Sequence, residues 1–178
     1  MRNFKNRDRQ FPPTRVGIAA DLEFAKYAIL GGNGLLEAGK PFASGQGRDF
    51  LLHLKDQFEP TLSVSVKCRR YTAEGGRLMM WFPLKKRPKA DPASYYFFAY
   101  FDPKTMSFRD PVFLMPAAVI ARLAKRRRKD GMLRVDFLLN LHWDSRDQFT
   151  RYRLPAVEIG DRLVDILQKL ASKPRRTN

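Results

Sequence analysis

Two short runs of alternating polarity, separated by a tight turn, constrain the fold of this chain more than any other feature. In residues 49–54 strand geometry puts Asp49, Leu51 and His53 on one face opposite three apolar residues, and in residues 61–68 polar side chains alternate with an apolar face, which is typical of β-strands that turn one face to a core. The alternation places Asp49 on one face of the first run, and Ser65 and Lys67 on one face of the second. We therefore predict adjacent antiparallel strands that bring Asp49 and Lys67 together.

An acid and a lysine on one sheet surface suit metal-assisted phosphodiester chemistry. The carboxylate binds a hard divalent cation, and the lysine neutralises charge or positions the attacking water. Ser65 stands two residues before Lys67, where such a site ordinarily has a second carboxylate. The same residues also fit an ordinary half-exposed sheet surface that ends in a lysine, and spacing alone does not separate the two interpretations.

The charge of the chain indicates a polyanionic partner. Its 34 Lys and Arg residues against 18 Asp and Glu residues give a net charge of +16. Residues 1–15 and 173–178 together contribute +7 of this charge, which leaves +9 on the rest of the chain. A surface of this sign attracts nucleic acid, although a merely solubilising excess of charge has the same composition.

Length and composition favour a single hydrophobic core and a protein of a reducing compartment. The 178 residues, 44% of them hydrophobic, predict a basic flexible arm at 1–14, a single domain at 15–172 and a basic tail at 173–178. The single cysteine, Cys68, excludes an internal disulfide. No apolar run is long enough to span a membrane, and the basic start lacks the apolar segment of a secretory signal. We expect a cytoplasmic protein without a membrane partner.

Periodicity predicts the other elements. A helix beginning at residue 14 or 16 and ending at residue 30 carries Asp21 and Glu23, and a short edge strand follows at 35–41. The aromatic run at 94–101 has large side chains on both faces, so we expect both faces to be covered. The remaining expected elements are strands at 77–82 (stopped by Pro83), 112–115, 132–141 and 149–154, and a closing helix at 157–170.

Two basic clusters are candidate phosphate contacts. The first follows Lys67 directly and consists of Arg69 and Arg70. The second is expected at the end of a helix over residues 117–129 and consists of Lys125, Arg126, Arg127, Arg128 and Lys129. Cations favour the dipole at a helix C-terminus, but five in succession exceed that need, so we predict a nucleic-acid contact there.

The order of elements over roughly residues 15–128 resembles the PD-(D/E)XK, or restriction-endonuclease-like, superfamily, and looks closest to its small bacterial members. Gly47 and Asp49 resemble the motif aspartate and its leading glycine. Ser65 to Lys67 resemble the final motif, with serine in place of Glu or Gln. Asp21 resembles the acid of the first helix, with Glu23 as its substitute. The resemblance implies an α/β (α+β) fold with a mixed central sheet flanked by helices.

The resemblance also implies a site and a set of partners. Its catalytic residues would be Asp49, Lys67, Asp21, Glu23 and Ser65. A cofactor, Mg²⁺ or Mn²⁺, would bind Asp49, Asp21 and the carbonyl of Val66. The implied partner is nucleic acid, DNA before RNA, and homodimer formation stays open. Three functions are compatible: a metal-dependent nuclease, an inactive relative that binds DNA or RNA, and a basic structural or interaction protein with an acidic protein partner.

Overall fold

A computed structural model describes residues 13–41, 49–69, 74–126 and 132–172, with the backbone alone at 13–15, 74 and 126. None of the helices in these ranges has the length and apolar content that a membrane crossing requires. The elements follow in the order α1 (Pro13–Gly31), β1 (Leu36–Gly39), β2 (Phe50–Leu54), β3 (Leu62–Arg69), β4 (Arg77–Leu84), β5 (Ser94–Asp102), β6 (Ser107–Pro116), α2 (Ala117–Leu123), β7 (Lys125–Arg126), β8 (Leu133–Asn140), β9 (Arg153–Leu154) and α3 (Ile159–Ala171).

A large mixed sheet joins β1, β2, β3, β5, β6 and β9 in that order. β3 and β5 run parallel, whereas the other neighbouring pairs run antiparallel. β2 pairs with β3 so that Phe50 lies opposite Val64 and Leu52 lies opposite Leu62. The predicted antiparallel pair, the edge strand before it and the mixed sheet of an α/β fold are confirmed.

β5 is buried on both faces. Phe97, Ala99 and Phe101 pack into a core beneath the helices α1 and α3, while Tyr96 and Phe98 pack into a second core on the opposite side. Burying an apolar side chain of this size contributes about 1.5–3 kcal/mol to folding. The prediction that both faces of the aromatic strand are covered is therefore confirmed, and β5 belongs to both cores.

α1 covers the first face of the large sheet with one apolar stripe. Ala20, Phe24 and Ala28 recur every four residues and are all buried, as expected for side chains on one side of a helix. The Phe24 ring centroid lies 5.1 Å from that of Phe50 and 5.0 Å from that of Phe97. These ring contacts fix α1 over β2 and β5.

α3 meets the C-terminal end of α1 at a glycine contact. A Cβ atom on Gly160 would lie 2.0 Å from the backbone nitrogen of Gly32 and 2.2 Å from the carbonyl carbon of Gly31. Real Cβ atoms do not approach backbone this closely, so the two helices can touch only where the side chain is missing. The contact lets Leu163 and Leu167 of α3 reach the core.

A small sheet, in the order β4, β8, β7, covers the other face of the large sheet. Buried and exposed residues alternate along most of β4 and through the middle of β8, as the pleat requires. The inward residues pack against Phe98, Phe113 and Met115 of the large sheet. They are Leu78, Met80, Phe82, Val135, Phe137 and Leu139. Alternation in the sequence indicates these strands but does not say that they form a separate sheet.

The prediction of a long basic helix over residues 117–129 is wrong. α2 has only seven residues, and Ala124 already has extended backbone angles, φ −70° and ψ 119°. The Arg87 guanidinium donates to the last carbonyls of the helix, including that of Ala124 at 3.1 Å. The chain then forms β7, in which Lys125 lies opposite Arg134. Strand pairing therefore takes the hydrogen bonds that a longer helix would have used.

Two smaller predictions are also wrong. β4 continues through Pro83 instead of stopping there, because β4 is an edge strand, where a missing N–H is tolerated. The predicted strand at 149–154 is mostly a 3₁₀ turn, Thr150–Tyr152, followed by the short β9. The Asp147 carboxylate accepts a hydrogen bond from the backbone N–H of Phe149 at 2.8 Å, and such local bonds compete with a strand ladder.

Replacing Gly160 with alanine should lower the free energy of unfolding by about 1–3 kcal/mol, because the new methyl group would push α1 away from α3. Gly17 is the matched control, since no described atom lies within 4 Å of a Cβ placed there. Gly17→Ala should raise stability by about 0.5–1 kcal/mol through helix propensity. Urea unfolding followed by circular dichroism measures both, and a neutral Gly160→Ala substitution would contradict the close contact.

Candidate functional site

Asp49 lies immediately before β2, and its side chain completes the pairing with β3. The Asp49 backbone N–H donates to the Val64 carbonyl at 3.0 Å, so the residue is still held in the hairpin. Its carboxylate oxygen Oδ2 accepts the N–H of Val66 at 2.7 Å. In a regular strand pair a backbone carbonyl of the neighbouring strand would accept the hydrogen bond from this N–H. The Asp49 carboxylate takes the place of that carbonyl and is thereby fixed against β3.

Two further groups hold the same carboxylate oxygen. Lys67 Nζ donates to Asp49 Oδ2 at 3.1 Å and to the Val66 carbonyl at 3.0 Å, while Ser65 Oγ donates to Asp49 Oδ2 at 3.2 Å. The side chains of Lys67 and Asp49 are 26% and 29% exposed, so the pair is partly screened from water yet still accessible. The structure thus brings together Asp49, Ser65, Val66 and Lys67, as the strand pattern indicates.

Tyr96 is a member of this surface that the sequence does not reveal. It lies opposite Ser65 in the parallel pairing of β3 with β5 and is buried. Burial raises the pKa of the Tyr96 hydroxyl, and the negative charge of Asp49 raises it further. The Tyr96 hydroxyl therefore stays protonated on the sheet face that also carries Ser65. The parallel pairing that places it there joins residues about 30 apart in the chain, and no local pattern indicates such a pairing.

The two helix acids bind lysines elsewhere. Asp21 forms an ion pair of 2.8 Å with Lys40, and Glu23 forms one of 2.7 Å with Lys26. Asp21 also contributes to raising the pKa of the thiol of Cys68, which packs with the core on the α1 side. Asp21 therefore lies on the α1 side of β3. Ser65 and Lys67 alternate with Cys68 and face the other way.

The oxygen atoms around Asp49 fit a hard divalent cation. All three hydrogen bonds to the carboxylate use Oδ2, and Oδ1 accepts none from the described residues. Ser65 Oγ and the Val66 carbonyl add neutral oxygens. Mg²⁺ is commonly held by one or two carboxylates together with waters and substrate phosphates. In the described ranges no group of three or more His, Cys, Asp or Glu side chains is placed to hold a metal, so Asp49 would supply the charged ligand.

The predicted phosphate contacts have different surroundings. The Arg69 guanidinium donates to the Cys68 carbonyl at 3.2 Å and to the Trp81 carbonyl of β4, and burial lowers its pKa. Lys125 is exposed at the start of β7. Arg126 is described by its backbone alone. The other predicted residues, Arg70, Arg127, Arg128 and Lys129, lie outside the described residues.

Comparisons with known proteins place the chain in no family. No family model matches it, and no curated protein matches it. Six chains among the solved structures match. One is a bacterial homing endonuclease that is 13% identical, covers 88% of this chain and 96% of its own, and superposes with a TM-score of 0.49. A likeness at this level carries no information about activity, so membership of the PD-(D/E)XK superfamily stays a prediction.

The position of Asp21 can be tested through Cys68, the only cysteine of the chain. The thiol pKa is raised, first by burial and then by Asp21, so less thiolate is present at a given pH and a disulfide reagent should react slowly with the native protein. Asp21→Asn should lower the thiol pKa and speed the reaction, whereas Asp49→Asn should have the smaller effect. Labelling rates measured across pH 7–10 in native buffer and in urea provide the comparison, and a larger effect of Asp49→Asn would contradict this placement.

Proposed function

We propose that this protein binds nucleic acid and hydrolyses phosphodiester bonds at Asp49 and Lys67 with a divalent cation. The observation that carries the proposal is the convergence of Val66 N–H, Ser65 Oγ and Lys67 Nζ on one oxygen of the Asp49 carboxylate. A carboxylate and an ammonium group held in this way are pre-positioned, which is what catalysis of phosphoryl transfer chiefly requires of a protein.

Each residue has a role that its contacts support. The N–H of Val66 and the hydroxyl of Ser65 orient the Asp49 carboxylate through Oδ2, and Oδ1 would serve as the metal ligand. Lys67 Nζ is held by Asp49 Oδ2 and the Val66 carbonyl, and its charge stabilises the negative charge that builds up on phosphate oxygens. The cation, when bound, polarises a phosphoryl oxygen and lowers the pKa of its bound water.

The charge of the chain supports nucleic acid as the substrate. The net charge is +16, and +9 remains without residues 1–15 and 173–178. Nucleic acid is the abundant polyanion whose backbone is itself the phosphodiester that the site would hydrolyse. Binding should therefore weaken as salt rises, since each phosphate that is neutralised releases counterions. DNA before RNA is part of the proposal.

Binding without cleavage is the second candidate. Asp21 and Glu23, which would complete a metal site, are engaged by Lys40 and Lys26. Asp49 would then hold the cation as the one carboxylate of the site, with Ser65 as a neutral neighbour. Such a site would bind metal weakly, and the basic surface would keep its affinity for nucleic acid with little or no hydrolysis.

Asp49→Asn and Lys67→Met should each lower cleavage by roughly 100-fold or more, because each removes a charge that acts on the transition state. Asp165→Asn on α3 and Lys55→Met in the turn between β2 and β3 are matched controls, since both side chains are exposed and lie on other parts of the molecule. Labelled duplex, single-stranded and branched DNA, and RNA, are incubated with Mg²⁺, Mn²⁺ or EDTA. Metal-dependent cleavage that persists in Asp49→Asn would refute the site.

Ser65→Glu should turn the site into a stronger metal centre. Ser65 is buried and bonds to the Asp49 carboxylate at 3.2 Å, so a second carboxylate there should destabilise the protein until a cation neutralises the pair. We expect Mn²⁺ to raise the melting temperature of Ser65→Glu more than that of wild type or of the neutral control Ser65→Gln, and cleavage to rise with it. If Ser65→Glu gains metal binding but neither Ser65→Glu nor the wild type cleaves any substrate, the second candidate, binding without cleavage, is favoured.

A further inference from the structure

The small sheet turns one face to solvent, opposite the face that packs on the large sheet. This outer face of β4 and β8 includes Arg77, Met79, Trp81, Arg134, Asp136 and Leu138. Met79, Trp81 and Leu138 are 51%, 49% and 40% exposed. Met79 lies opposite Leu138, and Trp81 lies opposite Asp136, so the apolar side chains are neighbours. A contiguous exposed group of this kind, interspersed with cations, marks an interaction surface.

The surroundings of Trp81 favour a planar ligand. The Arg134 guanidinium carbon lies 5.7 Å from the centre of the Trp81 ring, and the same guanidinium bonds to the Asp136 carboxylate at 2.6 Å. Asp136 is thereby neutralised, and a flat cation is held beside a flat indole. Aromatic rings and guanidinium planes are the surfaces on which unpaired bases stack.

Cations continue beyond one end of the outer face. Lys125 of β7 lies opposite Arg134 and is exposed. Lys85 and Lys86 are also exposed and follow β4 directly, at the end where Leu84 pairs with the first residue of β8. An exposed indole offers stacking for a base, and exposed lysines around the same small sheet offer ion pairing for phosphates.

We propose that the outer face binds single-stranded nucleic acid, with a base stacked on Trp81 and the neighbouring phosphates at Lys125, Lys85 and Lys86. The faces of bases are hidden inside a duplex, so this arrangement selects unpaired strands. The inference rests on the proposed function, because it names the substrate form that reaches Asp49 and Lys67.

A direct contact joins the outer face to the candidate site. Arg69 is two residues beyond Lys67 on the same face of β3, and its guanidinium donates to the backbone carbonyl of Trp81. The strand that carries the indole is thus tied to the strand that carries the lysine. A nucleic-acid strand bound on Trp81 would therefore lie on the same side of the large sheet as Lys67, opposite α1 and α3.

A second copy of the chain is a poorer occupant for the same face. A two-fold dimer places one patch against itself, so that the exposed lysines Lys85, Lys86 and Lys125 of one copy would face the same positive patch of the other. The Arg134–Asp136 pair is neutral as a whole, so these lysines leave the patch positive and such a contact is repulsive. A polyanion has the complementary charge.

The test uses the full chain with Asp49→Asn, which prevents cleavage. Trp81 and Trp143 are the two tryptophans, so Trp143→Phe makes Trp81 the sole indole reporter. An oligothymidylate of about 15 nucleotides should quench its emission on binding. In anisotropy titrations with labelled oligonucleotide, Trp81→Ala should weaken binding by roughly tenfold or more, while Trp81→Phe should keep most of the affinity. Phe58→Ala is the control, because Phe58 is 79% exposed in the turn between β2 and β3 and should leave affinity unchanged.

Each result decides between the two proposals. Equal single-strand affinity of Trp81→Ala and its parent would overturn this inference, and metal-dependent cleavage by the protein with Asp49 intact would show that the proposed function survives. The opposite result is also informative. If Trp81→Ala loses affinity for single strands while the protein with Asp49 intact cleaves no substrate, the inference about the outer face is upheld and the catalytic proposal fails. If Trp81→Ala instead converts a dimer into a monomer in light scattering and leaves oligonucleotide binding intact, the face is a contact between copies and the inference is overturned.

Discussion

The burial of β5 from both sides is the constraint on which the rest of the structure depends. Its aromatic side chains need two covers, which α1 and α3 supply on one face and the small sheet supplies on the other. β3 is the parallel neighbour of β5. On the face of β3 that is turned to the side of the small sheet, Ser65 is buried, whereas Lys67, further along the strand, is partly exposed to solvent. The candidate site lies at this border, where a carboxylate and an ammonium group can be held rigidly without being fully desolvated.

The Asp49 carboxylate has a structural task as well as its proposed chemical one. By accepting the Val66 N–H at 2.7 Å it satisfies a backbone donor on β3 that β2 no longer reaches. Leaving such a donor unpaired costs about 1–3 kcal/mol when it is buried. Asparagine keeps an acceptor at this position and removes the charge, whereas alanine removes both. The asparagine variant therefore separates the chemistry of Asp49 from its contribution to the fold.

Two groups of basic residues in the described part of the chain have different uses. Arg69 and Arg87 donate to backbone carbonyls, so their charges join β3 to β4 and close the end of α2. Lys85, Lys86 and Lys125 are exposed around the small sheet. Net charge does not distinguish these groups, because a guanidinium that caps carbonyls counts the same as an ammonium that faces solvent. Only the second group can attract a polyanion without breaking the fold.

Local pattern by itself determined a large part of this protein. Local sequence pattern marked β2, β3, β5 and β8, alternation placed Ser65 and Lys67 on one face, and the net charge indicated a polyanionic class of partner, because side-chain period and charge can be read without knowing which distant residues meet. Tertiary structure decided what depends on residues far apart in the chain: the parallel pairing that sets Tyr96 opposite Ser65, and the capture of Asp21 by Lys40. It also decided that β4, β7 and β8 form a sheet of their own. Lys125 and Arg126 show the reason most clearly, since helical propensity is a local preference worth tenths of a kcal/mol per residue, whereas pairing with β8 adds backbone hydrogen bonds between strands.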